Sequence, residues 1–476
     1  MADCCSTGGS RKSGYDLAVI GAGSAGFSAA IAAADQGANV ALIGHGLIGG
    51  TCVNVGCVPS KTMIRAAEAL HGARAASRFP GVAGEAHVAD WRALIAAKDD
   101  LVGTLRQKKY VDLLPEYNGI AYLEGAARLN GAGVLVNDSP VTAGKIIVAT
   151  GASPAMPSIS GIENVPTLTS TTALELEQPP RSLLVIGGGY IGCELAQMFA
   201  RAGTSVTMVT RSRLLPEAEP EIAQALAGYL ADEGITVRTG LTYSRIKSRD
   251  GEITLTIDVD GRAETLAAEQ VLVTTGRTPN TAGLGLEETG IKLAPNGGIV
   301  VDDRMRTSKS GVYAAGDVTG RDQFVYMAAY GAKLAARNAL NGDSLVYDNT
   351  AMPWVVFTDP QAAGVGLSER QARQRGFDVK TSVAPLDQVP RALAARDTRG
   401  LIKLVADRNT DRVLGAQILA PEGADSIQTV VLAIKYGMTT KELGETIFPY
   451  LTTVEGLKLA AQGFDKDVTK LSCCAG

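Results

Sequence analysis

Two stretches of this 476-residue chain carry the same arrangement, and together they leave few folds open. In the first, residues 16–20 form an apolar run suited to a buried strand. Gly21-Ala22-Gly23-Ser24-Ala25-Gly26 follows, then an alanine-rich helix to about residue 37, then a strand over 39–43. In the second, a strand over 182–186 leads into Gly187-Gly188-Gly189-Tyr190-Ile191-Gly192, a helix to about residue 202 and a strand over 205–209. Strand, G-x-G-x-x-G, helix, strand is the context in which this glycine spacing has a mechanism. The first glycine makes the tight turn, the second admits a pyrophosphate, and the helix N-terminus receives the negative charge. Gly21, Gly23 and Gly26, and then Gly187, Gly189 and Gly192, are therefore candidate cofactor-binding residues. Two units predict two dinucleotides and an α/β fold with two Rossmann-like domains.

The ends of the two second strands differ. An acid there holds a ribose 2′-hydroxyl, whereas an arginine accommodates a 2′-phosphate. The second unit ends in Thr210-Arg211-Ser212-Arg213, so Arg211 and Arg213 predict NADPH rather than NADH. The first unit has Ile43-Gly44-His45 at this place. Gly44 cannot make the contact, which leaves that ribose to water or to another group.

Between the units lies Gly49-Gly50-Thr51-Cys52-Val53-Asn54-Val55-Gly56-Cys57-Val58-Pro59-Ser60-Lys61. Pro59 suits the first turn of a helix, and a thiolate near a helix N-terminus is stabilised by its dipole and unpaired N–H groups. Taken alone, the cysteines fit a metal clip, two packed thiols or a redox pair. The stretch resembles the redox-disulfide signature of the flavoprotein disulfide reductases, and the resemblance extends over about residues 15–470. It implies FAD on the first unit and a fold like that of glutathione reductase: residues 15–154 and 278–347 for FAD, 155–277 for NADPH, and a C-terminal α+β dimerisation domain over 348–476. It makes Cys57 the sulfur next to the flavin and Cys52 the interchange thiol. Lys61 and Glu194 match the pair beside the flavin edge, and Tyr190 matches a tyrosine covering the nicotinamide pocket. Gly50, Thr51, Gly56, the Thr150-Gly151 turn and Asp317 fall on flavin-domain elements, and Gly276 falls where the NADPH segment returns to the flavin domain. Cys193 reads as a small buried apolar residue.

Disulfide-reducing members use a partner-subunit histidine, in a His-Pro-x-x-x-Glu stretch, as acid and base. This chain has three histidines, His45, His71 and His87, and none lies in the C-terminal segment. Tyr450 stands at the matching position, and a phenol with its ordinary pKa near 10 is a poor proton shuttle at pH 7. The chain ends in Cys473-Cys474-Ala475-Gly476. Adjacent thiols suit a soft, thiophilic cation and are expected to stay reduced. With Tyr450, this tail resembles the mercuric reductase branch. The resemblance implies Hg(II) as substrate, bound by Cys473/Cys474 and passed to Cys52/Cys57, at an active site shared across a homodimer. Many members of that branch carry an N-terminal metal-binding module; the fold here is expected to begin near residue 15, without it. Residues 1–14 read as a disordered tail, in which Cys4-Cys5 is either incidental or an auxiliary metal catcher.

Composition closes off other classes. The net charge is −4 with both signs mixed, which does not suit a nucleic-acid or polybasic membrane surface. No apolar run reaches the ~18 residues of a membrane span, and no signal core opens the chain, so the expected compartment is the cytoplasm. Two rivals remain: a disulfide reductase of the same fold acting on a small thiol compound, and a metal buffer without catalysis.

Overall fold

The structure is a computed structural model that describes residues 14–131, 133–467 and 470. Cys4-Cys5 and the Cys473-Cys474 pair lie outside the described residues. The chain divides into two compact units. One comprises Met1–Pro59, Asp99–Ser153 and Arg277–Tyr347, and the other Ser60–Lys98, Pro154–Gly276 and Asp348–Gly476. Residues 60–98 thus group with the second unit, although chain order puts them inside the first nucleotide segment.

In the first unit, strand β1 (Tyr15–Ile20) runs into helix α1 (Ser24–Ala34) and strand β2 (Val40–Gly44). The helix ends three residues earlier than its alanine pattern suggests. The chain turns there through Gly37, at φ +81°. A parallel five-stranded sheet forms around β1, in the order Val312–Ala314, Ala143–Val148, β1, β2 and β3 (Ile120–Glu124). Parallel strands are covered on both faces and read as continuous apolar runs, as in Ala18, Ile20, Ala41, Ile43 and Val148 of the core. Helix Val325–Asn341 packs against α1. Both present alanines, and small side chains let the two backbones approach closely. The two-cysteine stretch forms the short helix α2 (Gly50–Asn54), followed by α3 (Cys57–Arg74), whose first residue is a cysteine.

The second unit holds another parallel five-stranded sheet, in the order Thr236–Arg238, Ser205–Val209, Ser182–Ile186, Gln270–Val273 and Thr167–Leu168. Helix Tyr190–Arg201 follows the second glycine loop and buries Cys193, Leu195, Ala196 and Phe199. The C-terminal segment of this unit is an antiparallel five-stranded sheet with helix Gly423–Lys435 against it. Its central strands, Leu401–Asp407 and Val413–Ala420, are almost wholly buried. Among the described residues no helix is long and apolar enough to cross a membrane.

Candidate active site

The first glycine loop is built for close approach. Gly21 has φ +119°, and a Cβ there would lie 2.2 Å from the carbonyl oxygen of Ala149. A Cβ on Gly26 would lie 1.7 Å from the carbonyl oxygen of Gly21. Gly23 is the N-cap of α1 and gives no side-chain hydrogen bond, so the first N–H groups of α1 lack a side-chain cap. A glycine cradle at a helix N-terminus without a side-chain cap suits a pyrophosphate.

The two-cysteine stretch docks on this loop through backbone. Gly49 N–H donates to the Ala22 carbonyl at 2.9 Å. A Cβ on Gly50, at φ +69°, would lie 2.6 Å from Gly23 Cα. Asn54 ties the segment down, since its Nδ2 donates to the carbonyls of Ile48 and Gly50, both at 2.9 Å. Arg106 in turn donates to Asn54 Oδ1 at 3.2 Å. Thr51 is exposed on the first turn of α2, and Gly56 lets the chain pass the Thr51 carbonyl, 3.0 Å from where a Cβ would stand. Cys52 is half-buried on α2, and Cys57 is exposed at the head of α3. Sequence reasoning missed Asn54 and Arg106. Their signal, an amide inside a glycine-rich turn, was present but not specific.

Two further flavin-domain elements gain partners. Asn280 clamps the Thr150-Gly151 turn. Its carbonyl accepts from Thr150 Oγ1 at 2.7 Å, its Nδ2 donates to the Thr150 carbonyl at 2.9 Å, and its N–H donates to the Gly151 carbonyl at 2.9 Å. Asp317 is half-buried, and burial raises its carboxyl above the ordinary range, with the Arg277 guanidinium, 3.6 Å away, opposing the shift. Gly276, at φ +122°, precedes that arginine.

In the second unit, Lys61 Nζ donates to Glu194 Oε2 at 2.6 Å, and Glu194 is only 5% exposed. The other carboxylate oxygen accepts the Phe357 N–H at 2.9 Å, while the Phe357 ring lies 4.8 Å from Lys61 Nζ. A buried carboxylate with both oxygens satisfied is a fixed anchor rather than a surface charge. Lys61 follows Cys57 by one turn of α3. Tyr190 opens helix Tyr190–Arg201 and stacks on Trp354, centroids 5.7 Å apart. Burial, with Glu217 nearby, pushes its phenol up to about 12. Cys193 is buried, and burial pushes its thiol up to about 12, which leaves it an inert thiol at neutral pH. Phe357 and Trp354 were invisible in the sequence because they come from a different segment, 163 residues on for the Phe357 contact.

The second glycine loop repeats the first. Gly187 again has φ +119°, with a Cβ position 2.5 Å from the Thr274 carbonyl oxygen, and Gly192 faces the Gly187 carbonyl oxygen at 2.2 Å. Gly189 is an N-cap without a side-chain hydrogen bond. The two arginines beyond it separate in role. Arg213 donates to the carbonyls of Pro216, at 2.9 Å, and Ala218, at 2.6 Å, and so fastens its own loop. Arg211 is exposed at the end of the strand. Tyr450 is 49% exposed, in a turn where Leu451 adopts φ +61° and donates its N–H to Glu455 at 3.2 Å.

Two nucleotide loops, a dithiol stretch and a buried Lys–Glu pair define a redox flavoprotein family, and the chain's relatives agree. Residues 15–336 match the family described as Pyridine nucleotide-disulphide oxidoreductase, and residues 352–461 match its dimerisation domain. The chain belongs to the pyridine nucleotide-disulphide oxidoreductases. It is an enzyme of that family, with the family's use of flavin and pyridine nucleotide, and the matched dimerisation domain supports a homodimer. Similar members include mercuric reductase of Staphylococcus aureus, 46% identical over 98% of this chain and 85% of that one. Mercuric reductase of Streptomyces lividans is 48% identical over 97% and 99%. A solved relative, the Cu(II) complex of the HOCl-induced flavoprotein disulfide reductase RclA from Escherichia coli, is 31% identical, with a TM-score of 0.83 over 95% of this chain and 99% of that one.

Proposed function

We propose that this oxidoreductase reduces Hg(II) to elemental mercury at the expense of NADPH, through FAD. The balance is NADPH plus Hg(II) giving NADP⁺, H⁺ and Hg(0), a two-electron transfer. The observation that carries the reading is Tyr450, a phenol at the position where disulfide-reducing relatives carry an acid–base histidine. The mercuric reductases among its relatives support it. Bound flavin would supply the relay that takes a hydride from the nicotinamide and passes an electron pair to the Cys52/Cys57 disulfide or, once that pair is reduced, to the ion its thiols hold.

The chain's own residues hold and position. The loops of Gly21, Gly23, Gly26 and Gly50, with Thr51, Gly56, Thr150, Gly151 and Asp317, seat FAD, and Gly276 closes the NADPH segment. The loop of Gly187, Gly189 and Gly192 seats NADPH, and Arg211 meets the 2′-phosphate while Arg213 holds its loop in shape. Glu194 fixes Lys61, which polarises the electron-accepting side of the flavin. Tyr190 covers the nicotinamide pocket. Cys473/Cys474 take the ion from cellular thiols by ligand exchange and deliver it to Cys52/Cys57, with Tyr450 beside it. The site forms between the two subunits of an obligate homodimer in the cytoplasm.

The test is NADPH oxidation by the purified protein in excess thiol, with and without Hg(II), beside a Cys473→Ala, Cys474→Ala variant. Hg(II)-dependent turnover, lost in the variant, is expected. Turnover driven by a small disulfide and indifferent to Hg(II) would make the chain a disulfide reductase instead. A fully active monomer in sedimentation would overturn the shared site.

A further inference from the structure

The end of β2 lacks the acid that the dinucleotide fingerprint places there, and another side chain fills the space beside it. A Cβ on Gly44 would lie 2.6 Å from the Tyr122 hydroxyl oxygen and 2.7 Å from Ala22 Cβ. The phenol therefore occupies the space into which a side chain at position 44 would grow, next to the first glycine loop. Strand register explains how it gets there. β3 runs parallel to β2, with Leu42 opposite Tyr122 and Gly44 opposite Glu124. Residues two apart share a face, so Tyr122 leans along β3 toward the position opposite Glu124, over a neighbour with no side chain. A residue with any Cβ at 44 would collide with it.

Tyr122 is half-buried, and its hydroxyl makes no hydrogen bond to another described residue. Burial, with the Glu124 carboxylate nearby, raises its pKa above the ordinary phenol value. The group thus stays a neutral O–H at any physiological pH, able to donate one hydrogen bond and accept others. A ribose diol needs such a partner.

We propose that the Tyr122 hydroxyl binds the adenosine ribose of FAD, in the role that an acid at the end of the second strand takes elsewhere. The proposal rests on FAD being the first unit's cofactor. The contact comes from the third strand, and glycine at 44 is the space that admits it.

The test strips flavin from the full-length protein and titrates FAD back, following quenching of flavin fluorescence. FAD is compared with analogues lacking the 2′- or the 3′-hydroxyl of the adenosine ribose, in the parent and in Tyr122→Phe. The parent should prefer FAD to at least one analogue by about tenfold, the range of one buried hydrogen bond. Tyr122→Phe should weaken FAD about tenfold and leave that analogue's affinity unchanged, erasing the preference. Equal weakening of FAD and both analogues would show a packing role for the ring and overturn the proposal. So would a variant that keeps the parent's preference, or a parent with none. Failure of the parent to bind FAD at all would overturn the cofactor reading itself.

Discussion

The two glycine loops share one backbone solution and differ in what closes over them. Gly21 and Gly187 have the same φ of +119°, and Gly23 and Gly189 begin their helices in nearly the same extended conformation. Around the first loop the chain is crowded: Gly50 faces Gly23, and Tyr122 stands over the strand end. In the second loop a Cβ on Gly188 would lie 2.8 Å from Leu214 Cδ2, but the middle glycine of the fingerprint is open. A Cβ on Gly189 would meet no described atom within 4 Å, and Arg211 projects from an exposed strand end. A cofactor that stays through every turnover calls for the first arrangement. One that enters and leaves in each cycle calls for the second. On the proposed assignment of FAD to the first loop and NADPH to the second, the same fingerprint serves a resident and a visitor, and the neighbours set the difference.

The largest test of that reading pairs two substitutions at equivalent places. Gly21→Val should give a colourless protein, since the side chain collides with the Ala149 carbonyl beneath the resident cofactor. Gly187→Val should stay yellow while the rate of flavin reduction by NADPH falls about 100-fold, as a phosphate seat of charge-assisted hydrogen bonds is lost. Visible flavin absorbance and stopped-flow reduction read the two effects. Loss of flavin from both variants would mean that the loops are not independent.

Charge separates the units next. In the first, burial raises Asp317, and Arg277 only partly opposes it. In the second, burial also disfavours ionised Asp397, but the hydrogen bonds and charge of Arg399 outweigh it and hold the carboxyl below its ordinary range. Both contacts of that bidentate pair measure 2.8 Å, and Arg78 adds a third at 3.2 Å. A depressed carboxyl contributes stability above its unfolded pKa and loses it as pH falls through the lower folded value. Asp397→Asn should therefore cost about 3 kcal/mol at neutral pH, the cost of breaking a buried pair. The gap to the parent should shrink as the pH drops below about 4. Denaturant titrations at pH 7 and at low pH measure it, and a gap independent of pH would show that the carboxylate's charge is not what counts.

Much of this was readable from residues close together in the chain. Glycine spacing fixed both loops, and the strand and helix at 182–201 needed only local pattern. The missing acid at Gly44 was visible too, but its cause was not, because Tyr122 arrives from another strand. The same limit hid Asn280 beneath the Thr150-Gly151 turn, Trp354 under Tyr190, and Phe357 on Glu194. Each is a contact between residues more than a hundred positions apart, which periodicity cannot register. Lys61–Glu194, 133 residues apart, was found only through resemblance to a family. The two arginines after the second loop looked equivalent in sequence, and only the carbonyls of Pro216 and Ala218 distinguish them.

That distinction gives a smaller effect. Arg211→Ala should lower kcat/KM for NADPH by about 10- to 100-fold while leaving NADH nearly unchanged, as expected for lost hydrogen bonds to a charged phosphate. Arg213→Ala should shift cofactor preference little and reduce stability by about 1–2 kcal/mol, since it removes a loop fastening with a buried donor. Steady-state kinetics with both nucleotides, beside thermal melts, divide the roles. Equal loss of NADPH selectivity in the two variants would restore them as a pair.

The smallest expected change lies at Gly189, and it bears most directly on why the second loop is open. Its φ of −83° is available to alanine without strain, and the added methyl meets no described atom within 4 Å. Gly189→Ala should therefore melt within about 1 °C of the parent, as surface substitutions away from special backbone usually do. The pyrophosphate, however, is meant to approach at this second glycine. The methyl should raise KM for NADPH severalfold with kcat and flavin content unchanged. Gly50→Ala provides the contrast: φ is +69° and the methyl would lie 2.6 Å from Gly23 Cα, so stability and flavin retention should both suffer. If Gly189→Ala leaves KM untouched, the nucleotide does not use the loop as the fingerprint says. If it destabilises the protein instead, the second loop is packed as tightly as the first, and residence must be decided elsewhere.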